Sequence, residues 1–350
     1  MLATTTAIAT YPAAEQTELV HSSGTMTGVT EADVGHLELH MMPERSLPQV
    51  PDGVADAAAV HGSVWLASLR GTAQPGRLQT VSMQSAASSE HAWILSQSPP
   101  ASAADAAGPS VPWPAGVSVV GLSESAFPES SLWAGGSLRF EGGRAQWSSR
   151  SSSMASAIDV HAGGDITIHL GESYGAAPLI AIVSPRGSLQ PGAMVAIAAK
   201  SAGPTSIRIT TLVETDKSSA LGHHDLDVLV LGPPGGPTII EAHATCAIRL
   251  DPGGQPVMAW RQGGLTAPIT QESTGVWVVE LAPGYGLGRE ACLALTTCHG
   301  QLAAGENRSI AGAWLDPHRL RLTLLAEQPS GGSAPENFPL DLALLRLIGG

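Results

Sequence analysis

Charge is scarce in this sequence. Asp, Glu, Lys and Arg supply 13% of its 350 residues, the formal net charge is -13, and the few basic residues are scattered. A chain that neutralises phosphates along a nucleic acid needs a basic stripe, so neither DNA nor RNA is an expected partner. Long apolar runs are missing as well. Hydrophobic residues make up 43% of the chain, yet no run approaches the ~18 to 20 unbroken residues that a membrane helix requires, and membrane insertion is not expected. The opening, Met1-Leu-Ala-Thr-Thr-Thr-Ala-Ile-Ala-Thr10, has no basic n-region, which argues against a cleaved secretory signal. Cysteine is nearly absent: Cys246, Cys292 and Cys298 all fall in the last third, and an odd, small number is no disulfide framework. Synthesis in a reducing cytosol fits. Convincing amphipathic helices are lacking too, since the best candidate, Gly53-Val-Ala-Asp-Ala-Ala-Ala59, is too short to define a class.

What is plentiful is Gly (40), Pro (26), Ser, Thr and Ala, interleaved with short apolar runs throughout. Without those runs the composition would imply disorder; with them it implies a loop-rich β protein.

The chain also repeats itself. Leu138-Arg-Phe-Glu-Gly142-Gly143-Arg-Ala-Gln-Trp147 resembles Leu250-Asp-Pro-Gly253-Gly254-Gln-Pro-Val-Met-Ala-Trp260, with the paired glycines 111 residues apart. Ile166-Thr-Ile-His-Leu170, followed by Tyr174-Gly175, answers Val276-Trp-Val-Val-Glu-Leu281, followed by Tyr285-Gly286, at the same offset. The register runs on through Pro178–Val183 against Arg289–Ala294, Ala193–Ala199 against Ser309–Leu315 and Ser206–Glu214 against His318–Glu327. It ends with Leu226–Leu231 against Leu340–Leu345, now offset by 114. A weaker copy fills the first third, in Ala59–Ala67, Arg77–Met83, His91–Ser96 and Val117–Leu122. Boundaries fall near 123–131 and 232–242, where Gly232-Pro-Pro-Gly-Gly-Pro237 makes a stiff connector.

Alternation sets the fold class. Ile207, Ile209 and Thr211 fall on one face of a strand and Arg208 and Thr210 on the other; Leu320, Leu322 and Leu324 alternate likewise with Arg319, Arg321 and Thr323. Several such strands per ~100 residues, with frequent turns, suit packed antiparallel sheets. The expectation is an all-β chain of tandem antiparallel β-sandwich domains, jelly-roll or Ig-like. Residues 1–30 are expected as an extended N-terminal arm, 31–122 as a divergent sandwich, and 132–232 and 243–350 as sandwich repeats. The arm, poor in core-forming residues, is assigned to contact between subunits.

No motif in the chain meets its own structural test. Gly171-Glu-Ser173-Tyr-Gly175 matches the nucleophile-elbow pattern, but the segment after it reads as a strand where that motif needs a helix. A serine hydrolase using Ser173 is the least favoured reading. His243, Cys246, Cys292, Cys298 and His299 match no compact zinc spacing, and a cysteine on an apolar strand reads as a small core residue. His223-His224-Asp225-Leu-Asp227 alternates across a strand, so its side chains point to opposite faces. Gly284-Tyr-Gly286-Leu-Gly288 lacks the Lys-Ser/Thr ending of a phosphate loop. Trp147 and Trp260, at matched repeat positions, read as packing residues, with a sugar-stacking platform as the alternative. Asn307-Arg-Ser309 fits a glycosylation sequon. No catalytic residue, metal or cofactor is expected, and no ligand-binding residue is assigned.

Gly-rich connections, Ser/Thr/Ala-rich β repeats and few lysines together resemble the tail-fibre, head-fibre and capsid-decoration proteins of bacteriophage virions. The closing Ala313-Trp-Leu-Asp-Pro-His-Arg-Leu-Arg-Leu-Thr-Leu-Leu325 and Phe338-Pro-Leu-Asp-Leu-Ala-Leu-Leu345 look like the last hairpin of sandwich modules in such appendages. The resemblance spans residues 132 to 350. It implies a non-enzymatic virion component, assembled in the host cytoplasm as a homo-oligomer, often a trimer, alongside other virion proteins and in contact with the host surface or its glycans. The rival reading is a carbohydrate-binding surface module. Exposed sheet edges in tandem sandwiches argue in the same direction, because something must cover them.

Overall fold

A computed structural model describes residues 4–10, 18–23, 26–33, 36–41, 64–73, 75, 78–85, 91–97, 116–122, 133–151, 154–171, 179–187, 194–215, 218–231, 240–266, 268–282, 292–329 and 332–347. Among them every regular element is a β-strand, so the all-β expectation holds. The first third of the chain holds β1 (Thr4–Thr10), β2 (Glu18–Ser23), β3 (Met26–Asp33), β4 (His36–Met41), β5 (Val64–Arg70), β6 (Thr80–Ser85), β7 (His91–Gln97) and β8 (Gly116–Leu122). The second holds β9 (Trp133–Glu141), β10 (Arg144–Arg150), β11 (Met154–Val160), β12 (Asp165–Leu170), β13 (Ile180–Pro185), β14 (Met194–Gly203), β15 (Ser206–Thr215), β16 (Ser218–Leu221) and β17 (Leu226–Leu231). The last holds β18 (Ile240–Leu250), β19 (Pro256–Gly263), β20 (Thr270–Ser273), β21 (Val276–Glu280), β22 (Cys292–His299), β23 (Arg308–Asp316), β24 (Arg319–Glu327), β25 (Ser333–Pro335) and β26 (Leu340–Leu347).

One pairing order recurs in all three thirds. The runs β2-β1-β8-β5, β10-β9-β17-β13 and β19-β18-β26-β22 correspond strand for strand, as do β3-β4-β7-β6, β11-β12-β15-β14 and β20-β21-β24-β23. The short strands β16 and β25 pair with β15 and β24, again at equivalent places. Residues 4–10 and 18–23, inside the stretch expected as an arm, are strands of this pattern: β1 lies between β2 and β8. The boundary expected at residue 30 falls inside β3.

The thirds also pair with one another. The sixth strand of each meets the fifth strand of the next in parallel: β14 with β22, β23 with β5, and, through one bridge between Met83 and Arg186, β6 with the end of β13. The cycle closes, and two of these junctions fuse four-stranded runs into nine-stranded sheets.

This arrangement explains why some strands alternate and others do not. At the start of β24, Leu320 and Leu322 are buried while Arg319 is exposed and Arg321 half-buried, as expected for one wet face, whereas from Leu322 to Ala326 every residue is buried. In β13 and β17 every residue is buried. One face of those strands looks into the core of the second third, with Ala181, Val183, Leu226, Val228 and Val230 packed among Leu138, Ile166 and Ile209. The other face enters a separate core built from all three thirds. There Leu66, Ile182 and Leu295 occupy one set of equivalent positions, and Val64, Ile180 and Leu293 another, all at 2% exposure or less. Near-continuous apolar runs such as Leu226-Asp-Val-Leu-Val-Leu231 are the sequence signature of strands buried on both faces.

Candidate functional site at the junction of the three thirds

At the edge of the shared core the three fifth strands exchange hydrogen bonds in a closed ring. The Ala67 N–H donates to Ser184 Oγ (3.0 Å), the Val183 N–H donates to Thr297 Oγ1 (2.9 Å), and the Thr296 N–H donates to Ser68 Oγ (3.2 Å). Each hydroxyl accepts from the residue that precedes its own counterpart in another third. Three residues beyond each hydroxyl stands a glycine with positive φ: Gly71 (112°), Gly187 (101°) and Gly300 (117°). Their N–H groups donate to Gly312 O (2.8 Å), Met83 O (2.7 Å) and Ala199 O (3.2 Å), which are equivalent positions on the sixth strands. Glycine is suited there because side chains strain that backbone conformation.

The sixth strands add a second tier. Thr80 Oγ1 donates to Val195 O (2.7 Å) and Ser309 Oγ donates to Gln79 O (2.9 Å); the third equivalent is Ala196, which has no hydroxyl. Between the tiers lies a cleft of about 80 Å³, lined by Ser68, Thr80, Ala196, Thr297, Arg308 and Ser309 among others. Small-molecule pockets usually measure ~300–1,000 Å³, so this cleft suits water or a small ion better than a sugar.

A buried ion pair braces one seam. The Arg186 guanidinium donates to Asp227 Oδ1 (3.0 Å) and Ser137 Oγ (2.6 Å), Ser137 Oγ donates to Asp227, and the Trp65 N–H from the first third donates to Asp227 Oδ2 (3.2 Å). Burial pushes the Asp227 carboxyl up, against the pull of Arg186, Ser137 and Trp65. In the last third Asp341 takes the place of Asp227, with Arg249 at 2.9 Å and His299 at 3.6 Å. A second seam holds Asp165, which accepts from Arg208 Nε (2.9 Å), Thr210 Oγ1 (2.5 Å) and Gln301 Nε2 of the last third (3.1 Å). Burial raises this carboxyl, but Thr210, Arg208 and Gln301 together bring it below its ordinary value.

The residues singled out in the sequence do not gather into one site. Ser173 and the Gly284–Gly288 loop lie outside the described residues, as does the 53–59 stretch. Cys246 and Cys298 are free thiols in the largest core, where burial pushes Cys298 up to about 12 and Cys246 higher still. The side chains of His243 and Cys292 are outside the description. His223 stacks on Phe140 with ring centroids 4.9 Å apart, and Asp225 accepts the Phe140 N–H (2.7 Å). His224 is pushed down by burial, against the pull of Asp225. Among the described residues no group of three or more His, Cys, Asp and Glu side chains is placed to hold a metal.

Trp147 is half-buried, covers Gly136 and donates from Nε1 to Ala155 O (3.1 Å), while Trp260 packs on the shared core. The two are not equivalent. Trp147 sits opposite Leu138 and Met258 opposite the equivalent Ile248, with the same register slip next to both pairs, so the position matching Trp147 is Met258, at the 111-residue offset of the paired glycines. Asn307 of the sequon is fully buried and presents no acceptor for a glycan in the folded chain.

The sequence reading missed the hydroxyl ring, although its signal is present. Ser68-Leu-Arg70-Gly71, Ser184-Pro-Arg186-Gly187 and Thr297-Cys-His299-Gly300 share a hydroxyl, a basic side chain and a glycine at fixed spacing. No protein-family model, curated protein or solved structure matches the chain.

Proposed function

We propose that the chain is a non-enzymatic structural subunit of a bacteriophage virion, of the fibre, appendage or capsid-decoration kind. In this reading its thirds are tandem β-sandwiches, and the ring they form does within one chain what three copies of a single sandwich do in a trimer. The observation that carries the reading is the cyclic exchange between Ser68, Ser184 and Thr297, which gives each third the same two neighbours. Such a body fits a place of threefold symmetry in a larger particle.

The sheet edges that argued for neighbouring subunits are in part met inside the chain, at β14–β22 and β23–β5. Besides β6 and β13, which touch through the Met83–Arg186 bridge, the strands at the ends of the pairing orders are β2, β3, β10, β11, β19 and β20, and these supply the ladder groups through which further copies or other virion proteins join. The test is mass spectrometry on density-purified particles from a lysate in which the chain is made, with immunogold labelling to locate it. Fixed stoichiometry and clustered label support the reading; a chain that stays in the free fraction overturns it.

A further inference from the structure

The cleft between the two tiers of hydroxyls is lined at equivalent places by all three thirds: residues 67–69, 183, 185 and 296–298 from the fifth strands, and 79–81, 195–197 and 308–310 at the sixth. It thus surrounds the axis about which the thirds repeat. Charge does not follow that symmetry. Gln79, Val195 and Arg308 occupy equivalent positions, so one third alone brings a charge, and no Asp, Glu, Lys or His is among the lining residues.

Arg308 is a cation short of a partner. Its side chain is 15% exposed, its guanidinium donates no hydrogen bond to a described residue, and its one carboxylate contact among them, Glu306, lies 3.8 Å away and is itself 46% exposed. The Phe338 ring, 5.1 Å from Arg308 Cζ at its centroid, offers a π face but no acceptor oxygen. A guanidinium taken this far out of water is stabilised by an anion beside it. Its charge is felt at the cleft: burial pushes the Cys298 thiol up to about 12, against the pull of Arg308, and both residues line the space.

Two O–H donors there are uncommitted as well. Ser68 Oγ and Thr297 Oγ1 each accept a backbone N–H from another third, and among the described residues neither hydroxyl has an acceptor for its own proton. Thr80 and Ser309, by contrast, spend their protons on the Val195 and Gln79 carbonyls.

We propose that the cleft holds one small monovalent anion, chloride, between the Arg308 guanidinium and the O–H groups of Ser68 and Thr297, tying the last third to the first. One guanidinium balances one negative charge, so phosphate and sulfate fit less well. The cleft of about 80 Å³ admits a halide with one or two waters, at ~30 Å³ each, and little more. Charge-assisted bonds from the guanidinium are strengthened by the low-dielectric walls around it.

The test uses the full chain in sodium gluconate. Exchanging gluconate for chloride at about 100 mM, with ionic strength held constant, is expected to raise the melting temperature by about 1–2 °C. The chlorine NMR line should broaden well beyond that of the free ion and narrow again when bromide competes. Arg308→Gln is expected to abolish the excess width. Ala196→Val, which fills the cleft and keeps Arg308, should abolish it too, with far-UV circular dichroism identifying which variants are folded. A wild type that leaves the chlorine line narrow, broadening that bromide does not reduce, or excess width kept by either folded variant would each overturn the proposal.

Discussion

Asp227 has no exposed surface and is held by Arg186, Ser137 and the Trp65 N–H, so its carboxylate joins two thirds of the chain as well as neutralising a buried cation. Removing one partner of such a pair costs more than the pair contributes, because the other charge stays buried and alone. Asp227→Ala is expected to lower unfolding free energy by about 3–5 kcal/mol in urea titrations, while the double variant with Arg186→Met should recover a large part of the loss. Glu214 makes a different prediction at the same scale. Burial first, and then Glu327, raise its carboxyl from 4.5 to about 7, against the pull of Asn307. The folded chain thus holds this proton more tightly than the unfolded one. The contribution is fully present below about pH 4.5 and is lost as pH rises through about 7. The urea midpoint should fall between those values, and Glu214→Gln should flatten that part of the profile.

At the scale of elements, two hairpin turns show why the repeat has so few alternatives locally. Gly164 (φ +75°) and Gly275 (φ +70°) precede β12 and β21, and their carbonyls accept from Thr211 N (3.1 Å) and Leu324 N (2.7 Å). A Cβ at Gly164 would lie 2.4 Å from Thr211 O, and one at Gly275 would lie 2.6 Å from Leu324 O, both backbone atoms that cannot swing away. Gly254, in the β18–β19 hairpin, has a similar φ of +76° but open space around its Cβ position. Alanine at 164 or 275 should therefore cost about 2–4 kcal/mol, and at 254 about 1 kcal/mol, the latter reporting backbone strain alone. Denaturant titration of the three variants side by side checks the ranking. Equal losses would mean that backbone conformation, and not the close approach, sets the cost.

The whole molecule is held by a core that no third owns. Leu66, Ile182 and Leu295 meet there; the opposite face of β13 serves the second third, while Trp65 and Leu69 of β5 and Cys298 of β22 enter a larger cluster that also draws on all three thirds. Truncating one buried Leu or Ile to Ala in such a place costs about 2–5 kcal/mol. Because the core is shared, the loss should be felt by the entire chain: Leu295→Ala is expected to lower a single calorimetric transition, without splitting it into a stable and an unstable part. Residues 240–350 made alone would expose Leu293, Leu295, Ala343 and Leu345 together with the free edges of β22 and β23. Sedimentation velocity should show that fragment self-associated, whereas a well-behaved monomer would mean that the ring adds little to stability.

The sequence by itself determined the class of element and the repeat of the last two thirds, since alternation in Ser206–Thr215 and Arg319–Glu327 is a local property that survives in any surroundings; its register held less well, because β1 and β2 lie in the stretch read as an arm and Ser309 matches Ala196, not Ala193. It also carried the sign that some strands are buried twice, in the unbroken apolar run of Leu226–Leu231. Only the tertiary structure decided what covers the second face, because that face is satisfied by residues more than 100 positions away: Ser184 meets Ala67, Thr297 meets Val183, and Ser68 meets Thr296. A hydroxyl in a strand reads the same whether it faces solvent or an N–H of another third. The first third read only as a weaker copy for a related reason: sheet order constrains which positions are apolar or small but not which residues fill them, so Ser118 can stand where Asp227 and Asp341 do while the hydrogen-bonded frame remains the same.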